Sequence, residues 1–378
     1  MTAAPVPPLS RGRIAALYVL YFISHGIAVP YLPLAMRRIG MSGDAIGATM
    51  AASLVLSLLT PPLWGYVADR FGLRRAAMTA AVLPGIEGFV AGFLVFVLAR
   101  TPIGPLLDAL AVSHPQIGPS GYGRVRRWGS VGFILAVASL GPFVLTMPPR
   151  SIPGLVAACW LVMALALLAL DKAPDGAAPP PTASLPFAQL YGNHSTWLFL
   201  LISALHAACG IPFETYFSAY ASDAGLSGGW IGGAWAAGVG LEVVVLSHMG
   251  WLLDTLGPRR ILLVAYGAGV LRWGLTALLP GGPAMALAQV LHGLTFGACL
   301  GASVVWMSRV VPESLSGSAQ SVFAAVAWGL GGILGQLVSG PAMDRLGGQA
   351  LFAFAAAAEL VPLAAIAILP EPPPRARS

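Results

Sequence analysis

An eleven-residue stretch recurs 185 residues further along the chain, and each copy separates two long apolar runs. Gly65-Tyr-Val-Ala-Asp69-Arg-Phe-Gly72-Leu-Arg74-Arg75 returns as Gly250-Trp-Leu-Leu-Asp254-Thr-Leu-Gly257-Pro-Arg259-Arg260. The same offset maps Ser42-Gly43 and Ile46-Gly47 onto Ser227-Gly228 and Ile231-Gly232. A duplicated half inside so apolar a chain restricts the fold to two similar helical bundles, the plan of many secondary transporters.

Of 378 residues, 57% are hydrophobic and 9% charged. A soluble domain carries about 25% charged residues, so lipid must be the main solvent. The net charge of +6 comes from arginines scattered over short loops. That placement excludes a nucleic-acid patch and fits the positive-inside pattern. Cys159, Cys209 and Cys299 all fall in apolar runs without metal-ligand spacing and read as packing residues. The run 14–36 is too long for a signal-peptide core and lacks an Ala-x-Ala site, so it reads as a spanning helix.

A span needs roughly 20 apolar residues. The qualifying runs are 14–36, 44–66, 128–147, 151–170, 196–219, 227–252, 260–280, 283–308, 316–341 and 349–369. The polar, Pro-rich stretch after Asp171 cannot span and reads as an extended linker. The organisation expected is a cytoplasmic tail (1–13), a first bundle (14–171), a cytoplasmic linker (172–195), a second bundle (196–370) and a tail (371–378). Arg11, Arg13, Arg70, Arg74, Arg75, Arg124, Arg126, Arg127, Arg259, Arg260, Arg309, Arg375 and Arg377 outnumber those assigned to the other side, namely Arg37, Arg38, Arg100, Arg150 and Arg345. Both termini are therefore expected in the cytoplasm.

This orientation requires 76–113 to cross twice. Two crossings and a turn need about 42–45 residues, more than this stretch holds, whereas 261–308 has room for them. With Pro84-Gly85 and Thr101-Pro102 interrupting it, the segment predicts a truncated or broken third helix, with 86–113 as the fourth. The alternatives are a single crossing, which would flip everything downstream, or a deletion in this stretch.

The two Gly-x-x-x-Asp-x-x-Gly-x-Arg-Arg copies resemble the loop motif of the major facilitator superfamily. Pro105-Leu-Leu-Asp108-Ala-Leu-Ala111, Tyr122-Gly-Arg-Val-Arg-Arg-Trp128-Gly-Ser and Gln289-Val-Leu-His292-Gly-Leu-Thr-Phe296-Gly resemble its phenylpropionate-permease-like branch, which is related to lactose-permease-type proton symporters. The resemblance covers residues 14 to 370. It implies an all-α membrane protein of two six-helix bundles. It also implies that Gly65, Asp69, Gly72, Arg74 and Arg75, with Gly250, Asp254, Gly257, Arg259 and Arg260, form a gating latch. Thr255 and Pro258 replace Arg70 and Leu73 in the second copy and predict a weaker latch there.

Ionisable groups at membrane depth are costly, about 2.5–3.5 kcal/mol each on insertion scales, and mark function. Glu242 and Arg272 lie mid-helix, and Glu242 on the preceding helix is the expected counter-charge of Arg272. His292 shares a polar helical face with Gln289, Thr295, Phe296 and Ser303. In the resembled permeases a carboxylate, an arginine and a histidine span three such helices, which implies related parts for Glu242, Arg272 and His292. Asp108 lines the cavity or caps a helix end. His206 and Glu214 sit two turns apart on one face of a helix that Pro212 bends, and His25, near Tyr18 and Tyr21, echoes His206 in the first half. These eight residues are the substrate and proton-coupling candidates; Glu87 stays unassigned. Trp64, Trp128, Trp230, Trp251 and Trp306 read as interfacial anchors, with Trp235 and Trp273 deeper.

The expectation is a bacterial inner-membrane carrier, monomeric and without cofactor or metal. It moves a small organic solute by alternating access with protons as co-substrate. Efflux by antiport leaves the same traces and is separated by the direction of flux. A non-transporting receptor or scaffold is separated by whether vesicles containing it move any solute. With no nucleophile–base pair and no Walker-type loop, an enzyme is not expected.

Overall fold

The first helix is fixed at both ends by the chain itself. Ser10 caps α1 (Arg11–Arg38) by accepting from the Arg13 amide at 3.3 Å, and Gly40 (φ 93) turns the chain after it. Gly225 (φ 90) does the same after the first helix of the second half, at the offset of 185. Left-handed values of this kind are cheap only for glycine, so the internal repeat is visible in the backbone.

The structure, a computed structural model, describes residues 10–71, 89–101, 103–168, 194–311 and 315–373. The first half contains α1, α2 (Gly43–Phe71), α3 (Phe89–Arg100), α4 (Ile103–Ser113), α5 (Gly118–Val144) and α6 (Ser151–Leu168). The second contains α7 (His194–Asp223), α8 (Gly228–Ser247), α9 (Met249–Leu278) and α10 (Pro283–Val310). It ends with α11 (318–346) and α12 (348–368), which Gly347 (φ 79) separates. Eight helices among the described residues are long and apolar enough to cross a membrane.

Pairings across helices fix the direction of each crossing. Tyr31 donates to the Val137 carbonyl at 2.9 Å and Arg38 to that of Val144 at 2.9 Å, so α5 runs parallel to α1. Tyr18 reaches Asp108 and His25 reaches Arg100, so α3 and α4 form one broken crossing antiparallel to α1. The predicted fourth helix over 86–113 thus takes the form of two pieces. Thr101-Pro102 breaks it, because proline removes a helix hydrogen bond and crowds the preceding turn. The loop 114–117 lies on the side where α1 begins. Residues 72–88, on which the expected truncated third helix and Glu87 fall, lie outside the described residues. So do most of the linker and Arg375 and Arg377.

Two sequence assignments are corrected here. Arg100, counted among the arginines of the far side, sits beside His25 in the middle of α1, at membrane depth. Trp306 is likewise no interfacial anchor: it is buried and stacks on Phe199 at 4.9 Å. Trp128, Trp230 and Trp251 are exposed, as anchors require.

The halves meet on the far side, where α1 ends. A methyl group placed on Gly141 of α5 would lie 2.8 Å from the Gly228 carbonyl and 3.0 Å from the Gly232 Cα of α8. One on Gly47 of α2 would lie 2.6 Å from the Gln336 carbonyl of α11. Bare glycine at these points lets backbones touch, the usual device of helix packing in lipid. α8 holds two overlapping glycine pairs, Gly228 with Gly232 and Gly229 with Gly233; a methyl on Gly233 meets nothing within 4 Å and one on Gly229 only Ser227 Oγ at 3.9 Å, so the first pair alone meets the other half.

A carboxylate fastens the same edge. Asp344, at the end of α11, accepts from the Gly43 and Asp44 amides at 2.7 and 2.9 Å, and Arg37 donates to it at 3.3 Å. It therefore caps the N-terminus of α2 from the other half, where an anion is favoured. Removing such a cap costs about 0.5–2 kcal/mol. Asp344→Ala is expected to raise the thiol-labelling rate of an Ile46→Cys probe, buried at this edge, by about 2–30-fold. An unchanged rate would show that the cap does not hold the halves together.

Candidate functional site

Six of the eight candidates gather in the second half, around three π-helical turns. Pro212–Tyr216 in α7, Gly293–Ala298 in α10 and 325–330 in α11 are all π-helical. Such widened turns concentrate at functional sites. Phe213, Glu214, Thr295, Phe296 and Trp328 come from them and line one cavity with His206, Arg272 and His292. The cavity measures about 30 Å³, room for one water.

Arg272 is its centre. It is 1% exposed, donates through Nε to Gln289 Oε1 at 2.9 Å and through Nη1 to Thr295 Oγ1 at 2.8 Å. Its guanidinium lies over the rings of Phe213 (4.0 Å) and Trp273 (4.4 Å). Gln289 is held in turn, donating to Thr276 Oγ1 at 2.8 Å and to the Met285 carbonyl at 3.0 Å. The Arg272 Nη2 has no hydrogen-bond partner among the described residues.

The expected Arg272–Glu242 pair does not form; His292 stands between them. Arg272 Nη1 lies 3.2 Å from His292 Nδ1, and His292 Nε2 lies 3.6 Å from Glu242 Oε2. A guanidinium only donates, so Nδ1 accepts and the imidazole proton sits on Nε2, pointing toward Glu242. The cause is the seat of α8. Gly238, Gly293 and Gly297 let α8 and α10 close up, and a methyl on Gly297 would lie 3.1 Å from Glu242 Cγ. Glu242 therefore faces α10, not α9. Glu214 is the carboxylate that shares the cavity with Arg272.

His206 uses both ring nitrogens, Nε2 to the Thr295 carbonyl at 2.9 Å and Nδ1 to Glu359. Glu359, on α12, was missed. It is 0% exposed, and its sequence signal was plain: a lone acid ten residues into the apolar run 349–369.

The remaining two candidates form a second cluster in the first half. Tyr18 donates to Asp108 Oδ1 at 2.6 Å. His25 Nδ1 bonds the Tyr21 carbonyl at 3.0 Å and Nε2 bonds Arg100 Nη1 at 2.7 Å. Arginine must donate there, so His25 is neutral with its proton on Nδ1. Arg126 covers the Phe22 ring at 4.0 Å. A separate groove of about 560 Å³ opens where α1 and α5 begin, edged by Arg11, Arg124, Arg127 and Trp128. It carries none of the candidates.

Of the repeated motif, Gly72, Arg74 and Arg75 lie outside the described residues, and Gly65 and Asp69 lie in α2. In the second copy, Gly257 (φ 73) breaks α9. Arg259 donates to the Ile366 and Ala367 carbonyls at the end of α12, and Asp254 and Arg260 are exposed. This copy thus ties α9 to α12 within one half.

Comparison with known proteins places the geometry in context. The model of the MFS_1 like family matches residues 12–354. A probable 3-phenylpropionic acid transporter of Escherichia coli is 30% identical, over 84% of this chain and 86% of its own. A maltose permease of Geobacillus stearothermophilus is 28% identical, over 87% and 86% respectively. The crystal structure of the nucleoside transporter NupG superposes with a TM-score of 0.83 at 18% identity, covering 95% of this chain and 98% of that one.

Proposed function

The chain belongs to the MFS_1 like family, a family of multi-pass membrane transporters rather than enzymes, and we propose that it is a proton-coupled symporter for a small organic solute. It sits in a bacterial inner membrane with both termini in the cytoplasm. The bundles 14–171 and 196–370 rock about a site between them, joined by 172–195.

One observation carries the reading: a buried arginine with a free Nη2, aromatic walls and a line through His292 to Glu242. A guanidinium edge and aromatic faces suit a solute with a polar oxygen on an apolar body. The cavity is too small for such a solute, so its entry must move the π-helical turns, and with them His292. Protonation of Glu242 would then be linked to occupancy of Arg272. The side where α1 begins becomes the cytoplasmic face, and the glycine contacts on the far side become an outer seal.

The test uses purified protein in vesicles with an imposed proton gradient, and labelled 3-phenylpropionate, maltose and a nucleoside as probes. The wild type is expected to accumulate at least one of them. Glu242→Gln, isosteric but unable to ionise, is expected to abolish accumulation. Uptake at the wild-type level by that variant removes Glu242 from the mechanism, and accumulation only against the gradient marks an efflux antiporter.

A further inference from the structure

We propose that His206 and Glu359 hold one exchangeable proton between them, a proton-binding site on α7 and α12 separate from Glu242. The atoms require it. The Thr295 carbonyl can only accept, so His206 Nε2 carries a hydrogen. The other nitrogen, Nδ1, faces Glu359 Oε1 within hydrogen-bond reach. A bare nitrogen lone pair and a carboxylate oxygen would repel there, so one further proton lies between them. Whether written on imidazole or carboxyl, it is a single proton belonging to the pair.

The site is built rather than incidental. Both side chains are buried. The carboxyl fits a notch in α9 at Gly269, where a methyl would lie 3.0 Å from Glu359 Cδ. Glu359 Oε2 has no hydrogen-bond partner among the described residues. The Tyr266 ring packs on His206 at 4.5 Å. The other titratable groups around the pair are Cys209 and Glu214 on α7, Glu242 on α8, Arg272 on α9, and His292 and Cys299 on α10.

An exit is also present. His206 lines the cavity that Arg272 and His292 line, which gives a released proton a space to enter. Release leaves Glu359 as an anion against a lone pair. The imidazole must then turn or shift its remaining proton to Nδ1, and either change breaks the bond to the Thr295 carbonyl. Thr295 is the residue whose hydroxyl accepts from Arg272. Proton loss at the pair breaks a bond at Thr295 of the π-helical turn and is thereby felt at the arginine. The site's role in transport rests on the symport reading; its existence does not.

The experiment is pH-difference infrared spectroscopy on the full-length protein in lipid, with protons as the only ligand. The wild type is expected to show one step in which carboxyl and imidazole bands change together. Glu359→Gln and His206→Gln are each expected to abolish it, and Glu242→Gln to keep it. A step that survives in Glu359→Gln overturns the proposal. So does a wild type whose carboxyl and imidazole bands titrate at different pH values, a result that needs no variant to fold. The step present in a wild type that shows no proton-driven uptake upholds the site and overturns the symport reading alone.

Discussion

Arg272→Met is expected to abolish transport while leaving the protein folded. The substitution keeps an unbranched apolar stem but removes the charge and the guanidinium that lies over Phe213 and Trp273. Three acceptors lose a donor: Gln289 Oε1, His292 Nδ1 and Thr295 Oγ1. Each orphaned buried group costs about 1–3 kcal/mol. Against that stands the removal of a buried cation whose nearest carboxylates, Glu214 and Glu242, do not touch it. Replacing an imperfectly paired buried charge with an apolar side chain is often neutral or stabilising. The two effects oppose one another in stability but add in function, since a solute oxygen bound at Nη2 loses a charge-assisted hydrogen bond worth about 1.5–3 kcal/mol, roughly 10–150-fold in affinity. Arg272→Lys is not expected to rescue, because an ammonium cannot reproduce the flat fork over two rings. Uptake and thermal unfolding measured on the same preparations decide. Wild-type uptake by Arg272→Met makes the arginine a packing residue. A gross loss of folding in both variants makes it a structural one.

The sequence singled out residues that the structure brings together, but not how they pair. An ionisable side chain inside an apolar run is visible one residue at a time, which is why Arg272, Glu242 and His292 stood out. Which of them touch depends on how closely helices approach, and that is set by Gly238, Gly293 and Gly297 on other turns. Nothing in the spacing of Glu242 and Arg272 reveals that a histidine stands between them. Arg100 failed for a different reason: the positive-inside count treats each arginine as a loop residue, yet Arg100 lies within a crossing that Thr101-Pro102 breaks in two. Two of the π-helical turns have no local marker at all, while Pro212 hints at the third. Glu359 carried the same signal as Glu242 and was passed over because its run was read only for length. The repeat, by contrast, was legible in its two motif copies, and the structure adds that glycines at 40 and 225 impose the same turn at the same offset.

Gly47→Val and Gly141→Val are expected to hold the far side open. Each glycine faces the backbone of the opposite half, the Gln336 carbonyl for Gly47 and the Gly228 carbonyl for Gly141, and even a single added carbon would come within 2.6 and 2.8 Å. Neither contact can yield by rotating a side chain, because the neighbour is main chain inside a helix. Valine adds two further carbons to the conflict, and overpacking of this kind costs about 1–3 kcal/mol. The three atoms nearest the added carbon all belong to the opposite half at both positions, so the penalty falls first on the closed contact between halves. An equilibrium between closed and open far sides would therefore shift by about 5–150-fold. Spin labels on exposed Arg150 and Asp223, at the far ends of the two halves, report it: the distance distribution lengthens in either variant and lengthens further in the double variant. If alternating access operates, such proteins bind solute from the far side yet fail to carry it across, because the seal must close before the other side opens. Distances unchanged from the wild type would mean that the bundles do not part along α2–α11 and α5–α8, and the rocking mechanism would have to hinge elsewhere.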